Sequence, residues 1–134
     1  MRRSPVALPL AVLALALAGC GASASSSAEF EGEEKRVADA VERLQEAGEA
    51  RDAEAICNDV LAEALREAIV AAGSTCEAEL DKAIQDADDF GLDVEDVTVQ
   101  GTTATAKVRG ADRLREFEFV REGDDWRATA LGAS

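Results

Sequence analysis

After Gly91 the apolar residues of this chain stop recurring every three or four positions and begin to alternate. That switch confines the chain to helices first and an antiparallel sheet afterwards, an α+β arrangement. Val97 and Val99 alternate with Thr98 and Gln100, and Gly101 marks a turn. Ala104, Ala106 and Val108 then alternate with Thr105 and Lys107. A third strand is expected over 114–121, with Phe117 and Phe119 on one face. Gly123-Asp124-Asp125 is a tight reversal, after which Trp126, Ala128 and Ala130 should line one face of a last strand.

Upstream of Gly91 the period is helical. Over 29–47, Val37, Val41 and Leu44 fall at i, i+4 and i+7, and acids crowd the first turns, where the helix dipole favours them. Gly48 is the expected left-handed stop. Asp52 can cap a second helical region running to residue 72, striped by Ile56, Val60, Leu61, Ala64, Leu65, Ala68 and Ile69. Whether Asn58-Asp59 divides it is left open by the sequence. Gly73 ends that region, and Ser74-Thr75-Cys76-Glu77 has the spacing of a capping box with Ser74 as the cap. A third helix should follow to about residue 87, with Cys76, Leu80, Ala83, Ile84 and Ala87 on one side. The expectation is one domain over 30–134, with helices packed on one face of a four-stranded antiparallel meander.

The N-terminus has its own pattern. Arg2 and Arg3 precede an apolar run over 6–18, interrupted by Pro9, which ends in Leu17-Ala18-Gly19-Cys20. This resembles the lipobox of bacterial lipoprotein signal peptides. The resemblance implies that residues 1–19 are a removable signal peptide and that Cys20 carries palmitate-like acyl chains. The protein would then sit on the extracytoplasmic side of the cell membrane. The apolar run is short for a permanent span of about 30 Å of hydrocarbon. Two or three acyl chains, at about 0.8 kcal/mol per buried CH₂, would instead anchor durably. An ordinary secretory peptide cut at Ala-Gly is the alternative, and the residues around Arg2-Arg3 do not support twin-arginine export. Residues 21–28 are Gly, Ala and Ser only, so 20–29 reads as a lipidated cysteine and flexible tether.

The charge balance excludes several partners. The chain has 14 Lys+Arg against 28 Asp+Glu, a net charge of −14. Residues 1–19 hold two arginines and no acid, so 20–134 keeps 12 basic against 28 acidic residues, a net −16. Such a surface repels nucleic-acid phosphates and anionic headgroups, so no nucleic acid is expected as a partner. With Cys20 lipidated, Cys57 and Cys76 remain, and an even pair in an exported chain reads as a disulfide. The eighteen intervening residues lack the Cys-x-x-Cys spacing of a redox-active pair.

The domain also resembles the NTF2-like (SnoaL-like, cystatin-like α+β) superfamily. Three stretches carry the resemblance: Ala47-Gly48-Glu49-Ala50-Arg51-Asp52-Ala53-Glu54-Ala55-Ile56-Cys57, then Cys76-Glu77-Ala78-Glu79-Leu80, and then the strands from Val97 to Ala106 with the ending Phe119-Val120-Arg121-Glu122-Gly123-Asp124-Asp125-Trp126-Arg127. It implies a curved sheet wrapped around the helices, leaving a cone-shaped pocket. Some members are isomerases, cyclases or dehydratases. Many others are non-catalytic binding modules or dimerise through the sheet face, and the fold alone does not choose among these.

The residues present narrow the chemistry. The chain has no His and no Tyr, which removes the usual near-neutral proton shuttle and the usual phenolic oxyanion donor. Glu116 and Glu118 alternate with Phe117 and Phe119 and so read as solvent-facing charges rather than as a base. Asp86-Ala87-Asp88-Asp89-Phe90-Gly91 has acids at positions one and three and Gly at six of an EF-hand-like loop, but Phe90 and Val97 stand where oxygen ligands are needed. Zinc would require His or clustered Cys. Phe117, Phe119 and Trp126 are candidates for a pocket lining or for the aromatic core. The expected protein is a membrane-anchored lipoprotein with a non-catalytic binding or interaction domain and no cofactor. Its expected partners are a protein or second copy on the sheet face, or a small apolar ligand in the cone. An isomerase- or dehydratase-type enzyme with a carboxylate base is the remaining alternative.

Overall fold

The structure, a computed structural model, describes residues 26–111 and 113–132. The signal-like segment, Cys20 and residues 21–25 lie outside the described residues. A 3₁₀ turn, Ser26–Glu29, comes first and leads into helix α1, Gly32–Glu49. A short α2, Ala53–Ala55, runs into a π-helical turn, Ile56–Val60. Helices α3, Glu63–Ala71, and α4, Cys76–Asp86, complete the helical half. Strands β1 (Asp93–Gln100), β2 (Thr103–Arg109), β3 (Leu114–Glu122) and β4 (Asp125–Leu131) form one antiparallel sheet in the order β1-β2-β3-β4. This is the α+β architecture that the change of period implies, with helices preceding the sheet.

Register explains how the sheet makes a core. Val97, Ala106, Phe117 and Leu131 form one row across the strands; Val99, Ala104, Phe119 and Ala128 form the next. These rows face the helices, where Val37, Ala38, Ala40 and Val41 of α1 and Ile56 and Val60 of the π turn are buried against them. The opposite face carries rows such as Thr98, Thr105, Glu118 and Ala130. Glu95 is an extra residue between the Val94–Val108 and Asp96–Lys107 pairs, and Thr129 an extra residue between the Glu118–Ala130 and Phe119–Ala128 pairs. Bulges of this kind bend a strand and increase its twist.

Several local expectations are corrected. Gly48 does not end α1. It lies one residue inside the C-terminus, and the left-handed residue is Arg51, at φ 56°. Asp52 N–H reaches Ala47 O at 2.9 Å and Arg51 N–H reaches Gly48 O at 3.0 Å, the paired bonds of a Schellman ending with arginine at the usual glycine site. The second helical region breaks at Leu61-Ala62 rather than at Asn58-Asp59. Leu61 N–H closes onto Ile56 O at 3.0 Å, an i→i+5 bond, after which Leu61 and Ala62 are extended. Leu61 then forms a parallel bridge with Ala128 of β4, and Ala62 N–H reaches Ala128 O at 2.8 Å. In consequence α3 buries no residue fully; Leu65 and Ile69 only flank the core, and Ala64 and Ala68 are exposed.

The cap of α4 is Thr75, whose Oγ1 accepts from Ala78 N–H at 3.2 Å. Ser74 instead donates to Glu79 Oε1 at 2.7 Å, and this bond holds the Glu79 carboxyl below the usual carboxylate range, with Lys82 adding to the effect. Ala130 leaves the inner face, because the bulge at Thr129 pairs it with Glu118 and puts Leu131 in phase with Phe117. The tether reading also ends earlier than composition suggests. Ser27 is buried and its N–H donates to Glu42 Oε1 at 2.9 Å, so the 3₁₀ turn is docked on α1.

Candidate functional site

Phe117, Phe119 and Trp126 share the inner face of the sheet and are 3%, 2% and 1% exposed. They form the aromatic core, and Phe117 also borders the open space at one end of it. The indole of Trp126 donates to Glu33 Oε2 at 2.8 Å, joining β4 to the first turn of α1. That bond is the main reason the Glu33 carboxyl is held below its ordinary range, with Arg36 and Arg121 contributing and partial burial opposing. The link was not foreseen from the sequence, since residues 33 and 126 meet only through the fold.

Cys57, in the π turn, and Cys76, opening α4, form a disulfide with Cα atoms 6.1 Å apart. Both residues are buried. Glu116 and Glu118 point to the face away from the helices and are exposed, so neither lies among the aromatic residues. In the Asp86–Gly91 stretch, Asp89 Oδ1 accepts Gly91 N–H at 2.8 Å, closing the loop's own turn. Among the described residues, Val70 and Leu114 are the large apolar side chains left exposed, and no helix is long and apolar enough to cross a membrane.

At the end of the sheet near the β2–β3 connection, α1, α4 and the loop leading into β1 flank an open apolar cleft of about 220 Å³. Leu44, Ile56, Leu80, Ile84, Phe117 and Leu131 supply its walls. It opens into a wider vestibule of about 550 Å³ that shares Ala83, Asp89, Leu92, Arg115 and Phe117 and is bounded outside by Asp86, Asp88 and Arg113.

Phe90 also lines the cleft, packed against Gly48 of α1. A Cβ at Gly48 would stand 2.6 Å from the ring's Cδ1, which accounts for glycine inside the last turn of α1. The Arg51 guanidinium lies 5.7 Å from the Phe90 ring centre and also donates to Ile84 O, at the end of α4, at 3.1 Å. The left-handed Arg51 thus secures both the loop and the helix beside the cleft.

Three side chains with polar heads line the cleft, and two are committed within the protein. Gln45 accepts Leu92 N–H at 2.9 Å and donates to Glu49 at 3.0 Å, while Asp89 holds Gly91. The guanidinium of Arg115 forms no hydrogen bond or ion pair with the described residues. Arg115 is in phase with Phe117 and Phe119 on β3, directly beside Val108, and its stem runs along Gly132, where an added Cβ would lie 3.0 Å from its Cβ and Cδ. A charged residue in the apolar phase of a strand is a signal the sequence does carry. Phe90 and Gln45 reach the cleft through tertiary packing that no local pattern announces.

Comparison with family models, curated proteins and solved structures gave no match to this chain.

Proposed function

We propose that the chain is a membrane-anchored extracytoplasmic lipoprotein whose NTF2-like domain is a non-catalytic binding module. The address rests on the run ending in Leu17-Ala18-Gly19-Cys20 and agrees with a buried Cys57–Cys76 bridge, a bond that persists in oxidising compartments. The binding role is carried by one observation: the cone's middle is filled by Phe119 and Trp126, while Phe117 borders an apolar cleft at its end, where Arg115 has no partner among the described residues. An apolar concavity with few convergent polar groups is the usual form of a small-molecule site.

That cleft favours the carrier reading, a small partly apolar ligand held at the cone's end, over docking through the sheet. The outer face presents Thr98, Thr105, Lys107, Glu116 and Glu118, a polar surface for any protein partner. Two experiments test the proposal. Replacing Cys20 by Ser should move the protein out of the membrane fraction; retention without detergent would remove the anchor. Native mass spectrometry of protein from an exporting host should show a retained small molecule that is lost on filling the cleft with Ala83→Phe. A bare mass at every stage of purification would count against the carrier.

A further inference from the structure

Resting on the cleft as a binding site, we infer that its ligand is an amphipathic carboxylate, with a compact apolar group in the cleft and the anionic head on Arg115. The argument rests on the charge of the polar groups that line the cleft. Gln45 has its carbonyl oxygen on Leu92 N–H and its amide on Glu49, and Asp89 is held by Gly91 N–H. Among the described lining residues Arg115 is the cation, a group that offers only donors and has no partner among them.

A guanidinium is met best by a planar acceptor with two oxygens, which describes a carboxylate. The apolar stem of Arg115 packs along Gly132, so the head is carried at the cleft's edge by a fixed strand. Asp86 and Asp88 bound the vestibule but not the cleft, and of the carboxylates only Asp89 lines both, with its Oδ1 turned to Gly91 N–H. The size of the apolar group follows from the volume. The space of about 220 Å³ equals roughly seven waters at about 30 Å³ each, room for a short chain and not for a long lipid tail.

The test is calorimetric titration of the full chain carrying Cys20→Ser, made in an exporting host, with sodium octanoate and with octanol as probes. Octanoate should bind at least tenfold tighter than octanol, the worth of a charge-assisted hydrogen bond. Arg115→Gln should erase that preference, weakening octanoate by tenfold or more while leaving octanol and the melting temperature unchanged. Equal affinity for the two probes, or an octanoate affinity indifferent to Arg115→Gln, overturns the carboxylate assignment while leaving the cleft as a site. Absence of binding by both probes up to millimolar concentration overturns the cleft reading itself, and the assignment with it.

Discussion

Breaking the Cys57–Cys76 bond should cost the domain about 3 kcal/mol, mostly through the unfolded chain. The two cysteines are 19 residues apart in sequence, and closing a loop of that length lowers the entropy of the unfolded state by an amount equivalent to about 3 kcal/mol at 25 °C. For a domain of about 100 residues, each kcal/mol moves the melting temperature by about 4–5 °C, so reduction should lower it by about 12–15 °C. The comparison is the oxidised protein, first verified by mass to be two hydrogens lighter than the dithiol, against the same protein held reduced. Both are melted by circular dichroism and unfolded in urea. Reduction keeps both sulfurs in the chain, so no cavity confounds the result. Because an unlinked unfolded chain is more expanded, the urea m-value should rise as well. A fall of under 4 °C with an unchanged m-value would refute loop closure as the source of the stabilisation. Loss of amide protection confined to α4 would instead make the bond a local clamp between α4 and the π turn.

Three other perturbations address single contacts. Arg51→Ala keeps the left-handed strain at φ 56° and loses the bonds to Ile84 O and Phe90, whereas Arg51→Gly loses the bonds and relieves the strain. The glycine variant should therefore be about 1–2 kcal/mol more stable than the alanine variant in urea, and equal stabilities would refute the strain. Glu122→Ala removes the Oε1 that accepts Glu63 N–H at 2.8 Å at the start of α3; it should cost about 1 kcal/mol in thermal unfolding and speed hydrogen exchange at Glu63. The Glu33 carboxyl is lowered in the folded state, so its share of stability is present above its ordinary value near 4.5 and is lost as pH falls through the lowered folded value. Fluorescence of Trp126, the single tryptophan, should report easier unfolding across that acid window, and Glu33→Gln should flatten the dependence; an unchanged profile would disprove the linkage.

The sequence announces the architecture because the signals concerned are periodic and local. Val97 to Val108 alternate without help from the rest of the chain, and Gly101 and Gly123 adopt left-handed turns at φ 61° where the reversals were expected. The break at Leu61-Ala62 was hidden because both residues are apolar and fit a helical stripe as well as an extended bridge; only the approach of Ala128 decides between them. Gly48 looked like a terminator because its other use, giving room to the Phe90 ring, depends on a residue 42 positions away. Ala130 changed faces through a bulge at Thr129 that no residue type demanded. The cleft was legible in part: Phe117 lies in an obvious apolar phase and Arg115 breaks that phase, whereas Gln45 and Phe90 are placed by tertiary contacts alone.

On the proposed lipid anchor, the docked turn Ser26–Glu29 would also set the reach of the molecule. Were Cys20 the anchor, as proposed, only residues 21–26 would lie between the lipid and the Ser27 N–H bonded to Glu42. Six residues can span at most about 22 Å, less than twice the radius of gyration of about 13 Å expected for a domain of this size. On that proposal so short a leash would keep the domain close to the headgroup layer, free to sweep laterally but not to stretch far across the envelope, and whatever it met would have to come to the bilayer surface.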